Sequence, residues 1–263
     1  MIQPILITGG TGTLGTSLVP MLQDKGLELR VLSRHDREST PDVEYVTGDL
    51  DTGAGVEAAV KGVETIVHLA GSNKGDDVKT RTLVEAARRT GSPHIVYISV
   101  VGADRIPVTS RTDRVMFGYF AAKRASELVI ADSGLPWTTL RATQFHDLVL
   151  ATVRQLAKLP VVPVPAGVRF QPVDTGEVAA RLVELSLGEP SELVPDIAGP
   201  RVYEMKELVR SYLRAAGKRR LLVPARLPGK AARAVREGAN LAPDRSVGLH
   251  TWEEFLAEHV PST

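Results

Sequence analysis

The chain has 263 residues, a formal net charge of +1 and 43% hydrophobic residues, as expected for a globular protein large enough to bury a sizeable core. Its near-neutral charge gives no global attraction to nucleic acid or to an anionic membrane surface. The absence of cysteine excludes disulfides, thiolate catalysis and cysteine-ligated metals, and it fits a reducing compartment. No signal-peptide pattern and no apolar run of about 18–20 residues is visible, so we expect a cytoplasmic protein without a membrane span.

The first predicted elements are a strand, a glycine-rich turn and a helix. Residues 5–7 form a short apolar run typical of a buried central strand, and residues 17–22 follow with a helical pattern. A glycine turn in this context indicates phosphate binding, because the backbone can approach a pyrophosphate and the helix start directs N–H groups at it. The alternative is an ordinary turn without a ligand. The candidate cofactor-binding residues here are Gly9, Thr11, Gly12, Thr13, Leu14 and Gly15.

A second predicted strand, residues 27–32, ends at a position that distinguishes NAD from NADP. The residues that follow it are Ser33 and Arg34, and a guanidinium group suits the 2′-phosphate of NADP. We therefore expect NADP in preference to NAD. Asp36 is the counter-evidence, because a bend in the loop would direct its carboxylate at the ribose of NAD. The alternative for Arg34 and Arg37 is that both are solvated loop charges.

Two further predicted strands also end in candidate cofactor contacts. The third, residues 43–46, precedes Asp49 and Leu50, which could contact the adenine; the alternative for Asp49 is a simple turn residue. The fourth, residues 65–69, is followed by Ala70 and Gly71, whose small size lets a cofactor lie against the backbone. His68 lies within this strand, and we expect it to be a buried, hydrogen-bonded core residue.

After a predicted helix over residues 76–89, capped by Gly91, residues 94–99 form a fifth predicted strand. Strict alternation of strands and helices predicts an α/β fold with a doubly wound parallel sheet. Ligands of such sheets bind outside the carboxyl ends of the strands. The residues expected at this edge are Thr8, Arg34, Asp49, Ala70 and Ser99.

Tyr119 and Lys123 are the candidate catalytic pair. A polar, proline-containing loop is predicted over residues 106–114 and a helix over 119–131, which places the two side chains four residues apart on one face. A neighbouring ammonium group favours the phenolate and lowers the phenol pKa, so that the tyrosine can exchange a proton with a substrate oxygen. Lysine could also bond the nicotinamide ribose.

The alternation of elements fades near residue 147. A sixth strand is predicted over residues 137–141, followed at the same edge by residues 142–146. Residues 159–165 contain three prolines and are therefore predicted to form an edge segment. We predict a cofactor-binding core over residues 1–146 and a smaller C-terminal substrate or lid region over 147–263, packed on the core as one compact unit.

The sequence resembles the short-chain dehydrogenase/reductase superfamily, and within it the atypical, NmrA-like branch of NAD(P)H-binding proteins. The segments that carry the resemblance are residues 8–15, 48–50, 97–102, 119–123 and 135–146. The resemblance implies a Rossmann core, a pyridine nucleotide and a substrate pocket covered by the C-terminal third. The branch mixes reductases, quinone reductases, isomerase-like proteins and cofactor-binding regulators.

The chain departs from the family pattern at one position. Active members carry a serine or threonine near strand five that helps to hold the substrate carbonyl, and Val101 stands about where that hydroxyl belongs. Ser99 is the candidate replacement and completes the predicted catalytic set with Tyr119 and Lys123. The alternatives are the hydroxyl groups of Thr109, Ser110 and Thr112 in the following loop. The candidate substrate contacts are Val101, Gln144, Phe145 and His146; a packed or exposed histidine is the alternative for His146.

Three functions follow from these features. The first is an NADP-dependent oxidoreductase that transfers hydride to a small carbonyl, quinone or enone, with Tyr119 as proton donor and no metal implied. The second, motivated by the missing hydroxyl, is a nucleotide-binding sensor or regulatory protein without catalysis. The third, by analogy of fold, is a nucleotide-sugar epimerase. We expect a small-molecule substrate and a monomer or homodimer, with no nucleic-acid or membrane partner.

Overall fold

The computed structural model describes residues 4–71 and 75–260 and divides the chain into two compact units. The first contains the chain up to Ser99 together with Ala122–Arg141 and Gly176–Pro195. The second contains Val100–Ala121, Ala142–Thr175 and the chain from Asp196 onward. Each unit is thus assembled from separate stretches of the chain. The division into a cofactor-binding region over residues 1–146 and a substrate-binding region over 147–263 stays a prediction.

A seven-stranded sheet forms the centre of the first unit, in the order β3-β2-β1-β4-β5-β6-β9. This is the order of a doubly wound nucleotide-binding sheet, so the predicted fold class is confirmed. Successive strands pair in parallel, with register from Ile5 opposite Leu29 and Thr65. The strands are β1 Ile5–Thr8, β2 Leu29–Ser33, β3 Val43–Thr47, β4 Thr65–His68, β5 His94–Val100, β6 Trp137–Ala142 and β9 Glu192–Leu193.

Helices follow the strands of this sheet as the apolar patterns predict. Four of them are α1 Thr13–Gln23, α2 Val56–Val60, α3 Asp76–Thr90 and α6 Thr175–Leu187. The core is an aliphatic cluster that includes Leu6, Ile66, Leu83 and Ile95, all fully buried. Central parallel strands are covered on both faces, which is why every residue of β1 and β5 is buried.

Helix α4, Arg111–Ala131, is longer than predicted. The predicted polar loop over residues 106–114 is therefore wrong in its last four residues. Ser110 explains the earlier start, because its Oγ accepts from the backbone N–H of Asp113 at 3.0 Å and its own N–H donates to the Asp113 carboxylate at 3.1 Å. This reciprocal arrangement satisfies N–H groups that a helix start otherwise leaves unpaired.

The second unit has its own core and two small sheets. The antiparallel pair joins β8 Arg169–Phe170 and β10 Tyr203–Glu204, and the parallel pair joins β7 Val161–Pro165 and β11 Leu221–Ala225. The proline-rich segment is thus an edge strand, as predicted. The helices of this unit are α5 His146–Leu156, α7 Met205–Ala215, α8 Lys230–Arg236 and α9 Trp252–His259. Fully buried Trp252 and Leu208 lie in its main apolar cluster.

Across residues 4–71 and 75–260, every helix is too short or too polar to cross a bilayer.

Candidate cofactor-binding and catalytic site

The parallel register brings the carboxyl ends of β1, β2 and β4 to one edge of the sheet. Thr8, the last residue of β1, lies opposite Leu32 on one side and His68 on the other. The strand order reverses between β1 and β4, where doubly wound sheets form a crevice for nucleotides. The first unit therefore has the backbone arrangement of a nucleotide site at its β1–α1 turn.

Two glycines of this turn are required by the fold itself. Gly9 has φ +73°, and a Cβ atom there would lie 2.7 Å from the backbone nitrogen of Ala70. A Cβ atom on Gly15 would lie 2.5 Å from the backbone of Gly10. These glycines let the turn approach the end of β4 and let α1 pack closely on the turn.

Gly12 is different, because the described residues leave the space around it unfilled. It is the N-cap of α1, with φ −86° and ψ 178°, and a Cβ atom there would meet only the Gly9 carbonyl oxygen, at 3.3 Å. Among the residues that the structure describes, no side chain caps this helix, and no acidic residue lies in its first turn. The first N–H groups of α1 thus have neither an intrahelical acceptor nor a competing carboxylate, which fits a bound pyrophosphate.

The predicted nucleotide contacts that follow β2 and β3 differ in exposure and in hydrogen bonding. Arg34 is exposed, and within the described part of the chain its guanidinium has no hydrogen-bond partner, so it is available to a phosphate. Leu50 is buried. Asp49 accepts a 2.9 Å hydrogen bond from the N–H of Asp51, so its carboxylate also serves the turn.

His68 is a buried core residue, as predicted, and its tautomer follows from a chain of hydrogen bonds. Thr80 donates its hydroxyl proton to the Asp76 carbonyl at 2.7 Å, so it accepts from His68 Nε2 at 3.1 Å. Nδ1 of His68 then accepts from the Thr8 hydroxyl at 2.6 Å, and Thr8 accepts from the N–H of Ala70. Burial, assisted by the positive charges of Lys123 and Lys79, lowers the pKa of His68 to about 3.

Lys123 is buried in the first unit and held from three sides. Its Nζ lies 3.5 Å from Asp76 Oδ2, donates to the carbonyl of Ile98 at 3.2 Å and lies 4.9 Å from the centre of the Tyr97 ring. Burial lowers the pKa of Lys123, while the carboxylates of Asp76 and Glu127 oppose that shift. A Cβ atom on Gly71 would lie 3.1 Å from Nζ, so glycine keeps this ammonium close to the backbone after β4.

Ser99 is part of a buried ion-pair cluster. Its hydroxyl donates to Glu127 Oε1 at 2.6 Å, and Arg141 binds both carboxylate oxygens of Glu127 at 2.7 Å. Burial raises the pKa of Glu127, but hydrogen bonds from Arg141, Ser99 and Arg124 outweigh it, so the pKa lies below its usual range. The Ser99 hydroxyl would have to leave Glu127 to reach a substrate, and its catalytic role stays a prediction.

In the second unit, Tyr119 is half-buried, with its ring edge-on to Phe120 at 5.9 Å between centroids. Tyr119 lies four residues before Lys123 in α4, so the predicted helical spacing is present. Val101 is fully buried and packs with Ala198 and Ala242, which leaves no hydroxyl at the position where the family pattern has one.

The remaining predicted substrate contacts follow β6. Gln144 and Phe145 are half-buried, and their backbone pairs with Val173. His146 is fully buried at the start of α5, and burial lowers its pKa to about 4. Its alternative interpretation as a packed histidine therefore agrees with the structure, whereas contact with a substrate stays a prediction for all three residues.

The NAD(P)H-binding family matches residues 9–158, which is more than half of the chain and includes the glycine turn and helix α4. The chain belongs to this NAD(P)H-binding family. The predicted resemblance to atypical short-chain dehydrogenases/reductases and the predicted use of a pyridine nucleotide are thereby confirmed at the level of the family.

Individual relatives of this family member differ in activity. Ceramide reductase of Caulobacter vibrioides is 31% identical over 68% of the chain, and the chain spans 59% of that protein's length. An NADPH-dependent quinone oxidoreductase from Escherichia coli, solved with NADPH, has a TM-score of 0.78 at 20% identity and covers 97% of this chain and 99% of its own. A UDP-glucose 4-epimerase from Thermus thermophilus, solved with NAD, has a TM-score of 0.71 at 22% identity and covers 98% of both chains. These solved structures share the fold, and the fold alone does not distinguish reduction from epimerisation.

The sequence pattern did not indicate that two carboxylates bind the predicted catalytic groups. Asp76 pairs with Lys123, and Glu127 accepts a hydrogen bond from Ser99. Asp76 and Glu127 look like ordinary charged residues of amphipathic helices, and Arg141 looks like the end of a strand. The available signal was position, because Glu127 follows Lys123 by four residues and must share its helix face. A carboxylate on the buried face of a helix requires a cation or several donors, which here are Arg141, Arg124 and Ser99.

Proposed function

We propose that the protein is an NADP-dependent oxidoreductase that transfers hydride to a small, partly apolar carbonyl, quinone or enone compound. The observation that carries this proposal is the unfilled N-cap of α1 at Gly12, beside the strand-order reversal of a family that binds NAD(P)H. The reductase activity in the name of the relative from Caulobacter vibrioides favours hydride transfer over the other uses of the fold.

The residues that would hold NADP(H) are distributed along the edge of the first unit's sheet. The N–H groups of α1 would bind the pyrophosphate, Arg34 the 2′-phosphate, and Asp49 and Leu50 the adenine. Ala70 and Gly71 would lie along the cofactor, because neither presents a bulky side chain. When bound, the cofactor supplies or accepts the hydride.

The proton would come from Tyr119, and Lys123 would bond the nicotinamide ribose. A phenol hydroxyl carries one proton that it can donate to a substrate oxygen. Asp76 contributes by opposing the effect of burial on Lys123, because its carboxylate favours the charged ammonium. Tyr119 would thus give a proton to the substrate oxygen as hydride arrives at carbon.

The first experiment is calorimetric titration with NADPH, NADP⁺, NADH and NAD⁺, followed by a panel of carbonyl, quinone and enone substrates. We expect selective NADPH binding and turnover of at least one substrate that Tyr119→Phe lowers by about 10²–10⁴-fold. Tyr212→Phe is the matched control, since this buried tyrosine lies in the second unit's core. Binding of NADPH with turnover untouched by Tyr119→Phe would contradict the proton-donor role.

A sensor without catalysis is the second candidate, and one observation favours it. Val101 is an apolar core residue, and the Ser99 hydroxyl is committed to Glu127, so neither presents a free hydroxyl. A sensor must bind the reduced and oxidised cofactors with different affinities, because equal binding shifts no equilibrium. Unequal affinities without turnover of the panel would support a sensor, and interconversion of nucleotide sugars without net redox change would support an epimerase.

A further inference from the structure

His146, Asp174 and His250 converge in the second unit, although they are far apart in the sequence. One ligand-type atom from each side chain lies within 4.8 Å of the others. The backbone brings the first two together, because the N–H of His146 donates to the Val173 carbonyl at 3.0 Å and Phe145 pairs with Val173. His250, just before α9, completes the group, with its Nδ1 3.2 Å from Asp174 Oδ2.

His146 is the unusual member of this group. Its side chain is fully buried, and both ring nitrogens lack a hydrogen-bond partner within residues 4–71 and 75–260. A buried polar group without a partner is destabilising, so an interaction that satisfies one of these nitrogens would stabilise the fold. The ring lies between Phe255, Trp252 and His250, which exclude bulk solvent on several sides.

We propose that His146, Asp174 and His250 bind a divalent transition-metal ion of the zinc class, which stabilises the second unit. Two imidazoles and a carboxylate are a common zinc ligand set, and water can complete a tetrahedron. Bonds of about 2.0–2.1 Å place tetrahedral ligand atoms about 3.3 Å apart. The present separation of His250 Nδ1 and Asp174 Oδ2 already matches this value, and a torsional adjustment of His146 would bring in the third ligand.

The surroundings provide two further features of a metal site. His250 Nε2 lies 3.4 Å from Glu258 Oε1, so a carboxylate can hold the second nitrogen of the ring while Nδ1 binds the ion. Asp174 and His250 are each about one quarter exposed, at 23% and 24% of their side chains, which gives an ion a route from solvent to buried His146.

The test is zinc titration of full-length, tag-free, chelator-treated protein, with calorimetry and thermal unfolding as readouts. We expect one Zn²⁺ per chain and a melting temperature that rises with zinc concentration, because the ion binds the folded state. The visible spectrum of bound Co²⁺ should report imidazole and carboxylate ligands. Mg²⁺ should cause no shift, because it prefers oxygen ligands.

Variants identify the ligands without disturbing the core. His250→Gln and Asp174→Asn change partly exposed side chains, and each should lower zinc affinity at least tenfold; Glu258→Gln should lower it about tenfold. His259→Gln is the matched control, because this histidine bonds the Phe255 carbonyl outside the cluster. Zinc binding that is absent, or that His250→Gln and Asp174→Asn leave unchanged, would overturn the proposal and leave water as the partner of His146.

Discussion

Ser99 Oγ donates a 2.6 Å hydrogen bond to Oε1 of Glu127, and both side chains are buried. This bond gives the serine a structural use that competes with the catalytic use predicted from the family pattern. Hydrogen bonds to charged groups contribute about 1.5–3 kcal/mol. The structural use predicts that a substitution of Ser99 lowers stability, whereas the catalytic use predicts that it lowers turnover.

We expect Ser99→Ala to lower the free energy of unfolding by about 1.5–3 kcal/mol, because Glu127 loses one of its buried donors. Turnover, measured where the variant is fully folded, should change less than twofold. Urea unfolding and steady-state kinetics on the same preparation separate the two effects. A large loss of kcat with unchanged stability would instead support the catalytic role predicted from the sequence.

Gly9 and Gly12 predict opposite outcomes for the same substitution. Gly9→Ala should destabilise the protein, because its φ of +73° is strained for alanine and the new Cβ would lie 2.7 Å from the Ala70 nitrogen. Gly12→Ala should fold normally, since its φ of −86° suits any residue, yet it should weaken NADPH binding by filling the N-cap. Thermal unfolding and calorimetry measure the two effects; normal NADPH affinity in Gly12→Ala would place the pyrophosphate elsewhere.

We expect Arg34 to determine the preference of the protein for NADPH over NADH. Arg34→Ala should weaken NADPH binding by at least tenfold and change NADH binding much less, because only NADPH carries the 2′-phosphate. Arg37→Ala is the matched control. This arginine lies in the same loop, but its guanidinium carbon packs 5.9 Å from the centre of the Tyr45 ring. An equal loss of both affinities, or none, would mean that another residue binds the phosphate.

The glycine turn and the order of the main strands could be predicted from sequence, because each depends on residues that are close along the chain. Strand β9 was missed, since its two residues, Glu192 and Leu193, are too few to form a periodic pattern. The Ser99–Glu127–Arg141 cluster was also missed, as was the convergence of His146 with His250. Each depends on contacts between distant parts of the chain, which local periodicity does not encode.

We expect Lys123 and Asp76 to contribute to stability as a strongly coupled pair. Lys123→Met should destabilise the protein by about 3–5 kcal/mol, because it removes the cation beside a buried carboxylate. Adding Asp76→Asn to that variant should recover a substantial part of the loss, since the buried charge is then absent. Urea unfolding of the two single variants and the double variant measures the coupling. Additive losses would mean that the 3.5 Å ion pair contributes little to stability.

The His68 network predicts how stability depends on pH. The pKa of His68 is about 3 in the folded protein and about 6.5 when unfolded, so between these values the unfolded state binds the extra proton and stability falls as pH falls. As the pH falls from 7 to 5.5, we expect His68 to lower the free energy of unfolding by about 1.2 kcal/mol.

His68→Gln isolates this contribution, because an amide can bond Thr8 and Thr80 without titrating. The groups facing the ring are Lys123, Lys79 and the stacked Tyr97, and the variant keeps all three. Urea unfolding at both pH values should show a smaller loss in the variant than in the wild type by about 1.2 kcal/mol. Identical losses would mean that the imidazole can take up a proton inside the fold, which the donor–acceptor chain from Ala70 to Asp76 opposes.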